Sequence, residues 1–365
     1  MLPGRVALVL ICVLDALATG GCSSYLRQAV AGQIQLMRQR EPVAEVLADG
    51  ATPSSLRAGI AAAQAALDFA HRELELPDNG SYRSVVMLDR PQVVWNVFAA
   101  PEFSLVLREW CFPVAGCVTY RGYFAETAAD AYAARLAQAG NDVSVIGASA
   151  YSTLGYFRDP LLSTVLSLSD RAIAGLIFHE LAHQRVYARG DTPFNEGVAS
   201  LVEQEGMLLW LETRGDQPGL CRYALSLDRE RLVQDLVADA RRELRQIYRG
   251  PGEAGARRAA KATAFERLRE NYRRLRATWS GPPHFDRWFS GPLNNAVFGA
   301  ASTYNRHVDV LRVIFESEGR DWSRFFRRMD RLARLSAAER SRVLAHIERP
   351  TARRSPAGCG QATAG

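Results

Sequence analysis

The sequence predicts an α+β fold that is predominantly helical, with a small mixed β-sheet beside a central buried helix and a helical region at the C-terminal end. Three observations predict this class. Apolar residues recur with the period of a helix before residue 78 and after residue 221, whereas residues 82–148 carry mostly period-two patterns. A nearly all-apolar helical segment then begins at residue 171. The length and the hydrophobic content of 48% suit one large domain, or one domain with a helical extension.

The elements before the central helix follow from these periods. Residues 26–77 are expected to form two helices, the second beginning at Ser54, and Pro77-Asp78-Asn79-Gly80 is a turn. The period-two pattern then predicts strands, with one helix among them at 127–139. The strands are expected at 85–88, 92–98, 103–109, 118–124 and 142–148. The edge strand of such a sheet can bind an extended peptide by adding a strand.

The C-terminal part is expected to be helical. Arg- and Glu-rich patterns at 222–249 and 253–279 flank Gly250-Pro251-Gly252, which predicts an antiparallel hairpin that packs on the domain or projects from it. Further helices are expected at 293–311 and 322–335. The predicted organisation is a signal peptide (1–21), N-terminal helices (22–80), a catalytic core with the sheet and the central helices (81–215), a C-terminal helical region completing the domain (216–349) and a disordered tail (350–365).

The chemistry of the chain is indicated by His179-Glu180-Leu181-Ala182-His183. On a helix this H-E-x-x-H spacing places two imidazoles one turn apart on a single face, where they can hold one zinc ion, Zn²⁺. Glu180 lies about 100° further round the helix and can take a proton from a water that zinc activates. Burying these groups without a partner would be costly, which argues against a purely structural role. A sheet followed by this helix predicts a zincin-like catalytic core.

Zinc in a catalytic site needs a third protein ligand, and the segment after the motif offers two glutamates. Arg189-Gly190-Asp191-Thr192-Pro193 ends the first helix, and Thr192 can cap a second helix. A short turn between the helices would bring Glu196 back towards the histidines. Glu203, two turns further along the same face, is the alternative ligand, or a carboxylate that fixes a histidine tautomer. Glu196 is favoured because it lies nearer the turn and precedes the small Gly197, which permits close approach.

The H-E-x-x-H motif followed by Asn195-Glu196-Gly197-Val198-Ala199 resembles the gluzincin metallopeptidases, in which two histidines and a glutamate bind zinc. More closely, the chain is similar to the predicted zinc-dependent aminopeptidases found as lipoproteins in proteobacteria. The likeness extends from near residue 20 to near residue 335. The stretches that carry it include Trp95-Asn96-Val97-Phe98-Ala99-Ala100, Trp110-Cys111-Phe112-Pro113-Val114-Ala115-Gly116-Cys117, Tyr120-Arg121-Gly122-Tyr123-Phe124, Ala150-Tyr151-Ser152-Thr153-Leu154-Gly155 and Leu293-Asn294-Asn295-Ala296.

The resemblance implies peptide substrates and action as an aminopeptidase, in which Glu180 passes a proton to the leaving amine. It also implies a tyrosine after the zinc helices, and Tyr304 is the candidate donor of a hydrogen bond to the developing oxyanion. His284 and His307 are weaker candidates for that role. The resemblance implies the same three zinc ligands as the spacing, namely His179, His183 and Glu196.

An aminopeptidase must also hold the free amine of its substrate. Related enzymes carry a carboxylate for this purpose upstream of the zinc helix, but Gly147-Ala148-Ser149-Ala150-Tyr151 contains no acid. Asp159 and Glu203 are the candidates to replace it. Without such a carboxylate, a zinc endopeptidase of the cell envelope is the alternative. A catalytically silent lipoprotein scaffold that binds an envelope partner is a further alternative, which the intact motif argues against.

The first 21 residues resemble a secretory signal. Arg5 supplies the positive charge, and residues 6–14 form an apolar run that is too short to span a membrane. Asp15 interrupts the apolar region, so a plain signal peptide or a buried N-terminal segment stays open as an alternative to a lipoprotein signal.

The end of this segment, Thr19-Gly20-Gly21-Cys22, resembles a bacterial lipoprotein cleavage site and makes Cys22 the candidate lipidated residue. Thr19 stands where leucine is usual. Ser23, rather than an aspartate, follows the cysteine, which implies the outer membrane of a Gram-negative cell. The chain is therefore expected to be exported, lipid-anchored in the bacterial envelope and facing the periplasm.

The spacing of the cysteines indicates which disulfides the chain can form. Cys111 and Cys117 bracket a short loop, which predicts a local disulfide in an oxidising compartment, whereas Cys221 and Cys359 could pair or stay free.

The net charge of +6 comes almost wholly from arginine, because Lys261 is the only lysine. Most arginines lie in helical stretches that also carry acids, which is typical of solvated helix faces. No nucleic-acid partner is therefore expected.

Overall fold

The computed structural model describes residues 22–112, 116–150, 152–281, 285–305, 307–347 and 359, with the backbone alone at residues 22–24 and 302–305. The expected signal segment lies outside the described residues, as does the expected disordered tail apart from residue 359. The described part is predominantly helical with small sheets, which agrees with the predicted α+β class.

The N-terminal part contains one more helix than the two expected. Its elements are α1 (Cys22–Arg38), β1 (Glu41–Pro42), α2 (Val43–Ala48) and α3 (Ser54–Glu73). Pro42 and Pro53 occupy the N-cap positions of α2 and α3. Because proline cannot continue a preceding helix but suits the start of a new one, these two residues divide the apolar pattern into separate helices.

The strands form three small sheets rather than one mixed sheet. In chain order they are β2 (Ser84–Val86), β3 (Val94–Pro101), β4 (Trp110–Phe112), β5 (Gly116–Val118), β6 (Arg121–Tyr123), β7 (Asn141–Ala148) and β8 (Leu161–Leu162). Only the sheet β1-β2-β8 is mixed, since β2 pairs with β8 in parallel and with β1 antiparallel. The sheet β6-β3-β7 is antiparallel throughout, and so is the pair β4-β5. Helix α4 (Glu126–Gln138) covers the sheet β6-β3-β7.

The expected strand at 103–109 is absent, although its alternating pattern is real. Leu105 and Leu107 are buried, and Val106 between them is 74% exposed. The two leucines enter different cores, and the Ser104 amide donates to the carbonyl of Pro101 in a turn that follows β3. The alternation thus reports burial on two sides of an irregular segment, without a partner strand in the described residues.

The remaining helices run from the end of β8 to residue 345. They are α5 (Ser163–Leu166), α6 (Asp170–Arg185), α7 (Thr192–Thr213), α8 (Gln217–Arg249), α9 (Ala254–Ala277), α10 (Asp286–Ser290), α11 (Asn295–Asn305), α12 (Val308–Ser317), α13 (Trp322–Ala333) and α14 (Ala337–Ala345). The helix expected at 293–311 is two helices, and His307 lies at the N-cap of the second, α12. Helix α14 was not expected from the sequence.

The hairpin of α8 and α9 packs on the domain instead of projecting from it. Lys261 on α9 donates to Asp142 at the start of β7 (2.6 Å) and to the carbonyl of Glu102 (2.9 Å). The same Asp142 oxygen accepts from the amide of Asn295 at 2.8 Å. One buried polar network therefore joins the hairpin, the antiparallel sheet and α11.

The main core lies around the two central helices. Helices α6 and α7 pack against each other, α3 packs against α6, and residues of α12 and α13 join the same apolar cluster. A second cluster fills the hairpin α8–α9 together with residues of α10 and α11. The N-terminal and C-terminal helices thus share one core with the H-E-x-x-H helix. Among the residues that the structure describes, none of the helices combines the length and apolar character that crossing a bilayer requires.

Candidate metal centre

The H-E-x-x-H segment lies in α6, as its spacing predicts. Ser169 caps the helix by accepting from the amide of Ala172, and the apolar side chains of Ile173, Ile177 and Phe178 are wholly buried. The rings of His179 and His183 lie one turn apart, with centroids 4.9 Å apart and planes at 79°. The buried apolar side therefore fixes the helix while both imidazoles share another face.

Helix α7 returns antiparallel to α6, and its start differs from the prediction in one respect. The N-cap is Asp191 and not Thr192: the Asp191 carboxylate accepts from the amide of Phe194 at 3.2 Å. A carboxylate is a good acceptor at the positive end of a helix dipole. Asn195 then closes the turn, because its side chain accepts from the amide of Ala188 (2.7 Å) and donates to the carbonyl of the same residue (2.9 Å).

This turn brings Glu196 between the two histidines. Its Oε2 lies 3.4 Å from Nε2 of His179 and 3.7 Å from Nε2 of His183. Ligand atoms of these three residues all lie within 4.8 Å of one another. The carboxylate of Glu196, which was expected as the third ligand, and the two imidazoles thus meet at one point between α6 and α7.

The donor set fits a metal ion. Glu196 Oε2 is buried and has no hydrogen-bond partner among the described residues, although two ring nitrogens lie close to it. Atoms that bind one zinc ion tetrahedrally at about 2.0–2.1 Å lie about 3.3 Å apart, which is near the two carboxylate–imidazole distances. A shared cation would satisfy the buried oxygen, whose desolvation is otherwise costly.

Electrostatics at the three residues are strongly coupled. Burial pushes the pKa of Glu196 upwards, but the two imidazoles outweigh this and hold that pKa below its ordinary range. Burial alone would lower the pKa of His179, yet the carboxylates of Glu196 and Glu203 raise it well above its ordinary value. A positive charge at this point is therefore stabilised by the surrounding carboxylates.

Glu203 lies next to the cluster without joining it. His179 Nδ1 donates to Glu203 Oε2 at 3.0 Å, on the ring edge opposite the nitrogen that faces Glu196. Since a carboxylate accepts, this contact fixes the proton on Nδ1 and leaves Nε2 free as a ligand atom. Of the two roles considered for Glu203, the geometry matches the one that orients a histidine.

Glu180 lies on α6 beside both histidines. Burial raises the pKa of its carboxyl group above the ordinary value, and the nearby imidazoles oppose that rise. The group is therefore held nearer to neutrality, which suits a residue that must both take up and release a proton.

Asp159 is placed where it cannot readily meet a substrate amine. The residue is 1% exposed, and its carboxylate accepts from the amide and hydroxyl of Thr153 (2.9 and 2.7 Å) and from the hydroxyl of Ser152 (3.4 Å). Burial raises its pKa to about 6. The carboxylate thus closes the loop 152–159, which is a structural role that its position before the H-E-x-x-H helix did not reveal.

Two further contacts hold the central helices, and only one of them has a signal in the sequence. A Cβ at Gly197 would lie 3.0 Å from His307 Cβ, so glycine is needed for the α11–α12 junction to approach α7. Arg340 on α14 donates to Asp191 Oδ2 through Nε (2.8 Å) and lies 2.7 Å from it through Nη2. Only the glycine had a local signal, its place after Glu196.

The remaining candidate residues are Tyr304, His284, Cys22 and His307. The side chain of Tyr304 and the whole of His284 lie outside the described residues, as does the side chain of Cys22. His307, a weaker candidate for the oxyanion donor, lies at the N-cap of α12 against Gly197, the residue after Glu196.

Two disulfides join cysteines of the described residues. Cys111 and Cys117 are bonded across the pair β4-β5, and their Cα atoms are 3.8 Å apart, closer than the expected 4.4–6.8 Å. They occupy directly opposed positions in that pair, which brings the backbones together. Cys221 and Cys359, left open by the sequence, are also bonded.

Comparison with known proteins identifies a family. The model of a family described as "Putative aminopeptidase" matches residues 24–344, which is most of the chain. No curated protein and no solved structure matches the chain.

Proposed function

Because the chain belongs to the family described as "Putative aminopeptidase", we propose that it is a zinc-dependent peptidase that removes residues from the amino terminus of peptides. The family supports peptide hydrolysis. One structural observation carries the zinc part of the proposal: Glu196 Oε2, buried and without a hydrogen bond, lies between the Nε2 atoms of His179 and His183.

In this proposal His179, His183 and Glu196 hold one zinc ion. Bound zinc supplies a Lewis acid and lowers the pKa of water, so that a nucleophile is available near neutral pH. Glu203 keeps the proton of His179 on Nδ1 and the ring in place, which preserves Nε2 as a ligand.

Glu180 handles the proton in this proposal. A carboxylate oxygen of Glu180 takes the proton from the attacking water and then gives it to the nitrogen of the departing amine. The raised pKa that burial gives Glu180 supports both halves of that transfer. Tyr304 is proposed, on the family resemblance, as the hydrogen-bond donor to the oxyanion.

An extended substrate is proposed to lie along β7. This strand ends the sheet β6-β3-β7, and Ile146 and Gly147 on it are exposed. Further back along the strand, Asn294 already donates to the carbonyl of Val143 at 2.9 Å. The segment that is available for a peptide to pair with therefore lies towards the C-terminal end of β7.

The test combines metal content with hydrolysis of fluorogenic aminoacyl substrates. We expect about one zinc per chain in the wild type and in Glu180→Gln, with activity lost in the latter. His183→Ala should lose both zinc and activity. His346→Ala, which removes an exposed histidine on the C-terminal side of α14, is the matched control and should keep both. A metal-free wild type that is active, or zinc bound equally by His183→Ala, would contradict the assignment.

A zinc endopeptidase is the second candidate, and one observation favours it. Both acids considered for the substrate amine are engaged elsewhere, Asp159 with Ser152 and Thr153 and Glu203 with His179. Peptides with free and with acetylated amino termini separate the candidates. The aminopeptidase proposal expects hydrolysis of the free peptides only, whereas equal cleavage of both sets would establish the endopeptidase.

We also propose that the chain is exported and anchored by lipid at Cys22 in the outer membrane. The two disulfides support an oxidising compartment such as the periplasm.

A further inference from the structure

The turn before β2 lies on the Glu180 side of α6. Asn79 in this turn donates to the side chain of Gln184 at 2.7 Å. Gln184 is four residues after Glu180, so the two side chains are neighbours on one face of the helix. Gly155 lies behind this contact, because a Cβ there would be 3.3 Å from Asn79 Nδ2 and 3.8 Å from Gln184 Cβ. The chain from Asn79 onwards therefore passes beside the Glu180 face.

Tyr82 ends this turn with an unusual backbone. Its φ is +63°, in the left-handed region that a residue with a bulky side chain rarely adopts. The conformation is held on both sides: the Tyr82 amide donates to the carbonyl of Asp159 at 2.6 Å, and its carbonyl accepts from Gln64 at 3.4 Å. Such backbone positions persist where the surroundings enforce them, and they cluster at functional sites. Here the result is a tyrosine ring turned inwards and 5% exposed.

The hydroxyl of Tyr82 is buried and has no hydrogen-bond partner among the described residues. Burial raises the pKa of Tyr82 well above its ordinary value, and the charges of Glu180 and Asp159 raise it further. The hydroxyl therefore keeps its proton and is a donor. Of the two nearby carboxylates, Asp159 already accepts from Ser152 and Thr153. Glu180 is therefore the remaining carboxylate that can accept a hydrogen bond from the Tyr82 hydroxyl.

We propose that Tyr82 is a positioning residue, whose hydroxyl donates a hydrogen bond to the carboxylate of Glu180, directly or through one bridging water, when a peptide fills the site. The inference rests on the proposed function, because it gives Tyr82 a part in the proton transfer assigned to Glu180. It explains why a buried donor is kept without a protein partner and why the backbone tolerates a strained conformation to keep it there.

The test begins with Tyr82→Phe, which removes only the hydroxyl. We expect kcat to fall about ten- to a hundredfold, the range that loss of a hydrogen bond to a charged group produces. KM should change little, since the group acts on Glu180 and not on bound peptide. The melting temperature should stay the same or rise, because no protein hydrogen bond is lost.

Tyr272→Phe is the matched control. Tyr272 is also buried, but its hydroxyl is bonded to Asp286 in the core of the α8–α9 hairpin. Its removal should lower the melting temperature and leave kcat unchanged. The opposite pattern at the two tyrosines separates a positioning role from a structural one.

A double variant tests whether Tyr82 acts through Glu180. In a Glu180→Gln background, Tyr82→Phe should cause no further loss in the residual rate, measured at high protein concentration. A tenfold loss that persists there, or a Tyr82→Phe variant with wild-type kcat, would overturn the inference while leaving the proposed function intact. A zinc-loaded wild type that hydrolyses no peptide would overturn the proposed function and this inference with it.

Discussion

Arg340 and Asp191, 149 residues apart, form a buried ion pair at the start of the helix that carries Glu196. Two guanidinium nitrogens converge on Asp191 Oδ2, while Oδ1 of the same carboxylate caps α7. Arg340 is 2% exposed, and its remaining guanidinium nitrogen, Nη1, donates to the carbonyls of Leu332, Ala333 and Leu335. The last helix of the described chain thereby sets the position of the first turn of α7.

Arg340→Met should therefore cost stability and metal affinity together. Removing the guanidinium takes the charged partner from the largely buried Asp191 carboxylate, and breaking a buried ion pair in this way typically costs about 3–5 kcal/mol. Zinc affinity, measured by competition with a chelator, should fall because the turn that presents Glu196 loosens. Arg342→Ala, an exposed position on the same helix, is the control. A loss below about 1 kcal/mol in denaturant unfolding would show that the pair does not hold α7.

Gly197→Ala should destabilise the protein by about 1–3 kcal/mol, the usual cost of overpacking. The new methyl group would meet His307 Cβ at 3.0 Å and Leu311 Cδ1 at 3.3 Å, so the junction of α11 and α12 must move. Peptide hydrolysis should fall as well, since Glu196 is the adjacent residue. Gly255→Ala on α9, where no atom lies within 4 Å, should leave activity unchanged and stability equal or slightly higher. Equal behaviour of the two variants would contradict the packing argument.

Asp159→Asn should change how stability depends on pH. The pKa of Asp159 rises from 3.8 in the unfolded chain to about 6 in the folded protein. The folded state therefore binds more protons between these values, and the free energy of unfolding falls as pH rises through that window. The decrease attributable to this group is on the order of 3 kcal/mol and is complete above pH 6.

The measurement for Asp159 is the difference between wild type and variant in urea unfolding across that pH range. The difference should decline from acid to neutral pH and then stay level. Asp68→Asn, an exposed position on α3, should reproduce the wild-type slope. Parallel curves for the wild type and Asp159→Asn would mean that the pKa of Asp159 is the same in the folded and the unfolded chain, and would contradict the raised pKa.

Cys22→Ala should release the protein from the membrane fraction into the soluble periplasm. The acyl chains attached to a lipoprotein cysteine provide stable anchoring, and this variant cannot carry them. Fractionation of cells that express each form is the measurement. Ser23→Asp serves as the companion variant and should stay membrane-bound but move to the inner membrane. Unchanged fractionation of Cys22→Ala would show that another segment provides the anchor.

The sequence predicts the parts of this site that are local and misses those that are not. His179, His183 and Glu196 follow from helical spacing and one short turn, which are local properties. The pairing of Arg340 with Asp191 has no sequence signal, since the two residues lie in different helices and each is an ordinary charged residue by itself. The role proposed for Tyr82 has no sequence signal for a related reason: its left-handed backbone is held by hydrogen bonds with Asp159 and Gln64.

The errors in secondary structure have similar causes. The alternation around Val106 correctly reports burial, but a strand also needs a neighbour at hydrogen-bonding distance, which the pattern cannot supply. The helical pattern that ends near Leu311 continues through the break at His307, because both segments bury a face of the same period. Thr192 and Asp191 are both suitable caps, and the contact with Arg340 decides between them.

The bond between Cys221 and Cys359 turns the C-terminal part of the protein into a covalent ring. Helices α9 to α14, with Arg340 among their residues, belong to that ring. A protease that cuts once inside the ring produces two fragments that stay joined by the disulfide. Neither the α8–α9 hairpin nor helix α14, which carries Arg340, can then diffuse away. Such a nicked molecule would migrate at its full mass until a reducing agent opens the ring. A single cut by a peptidase would therefore leave all the helices of the ring covalently attached to the protein.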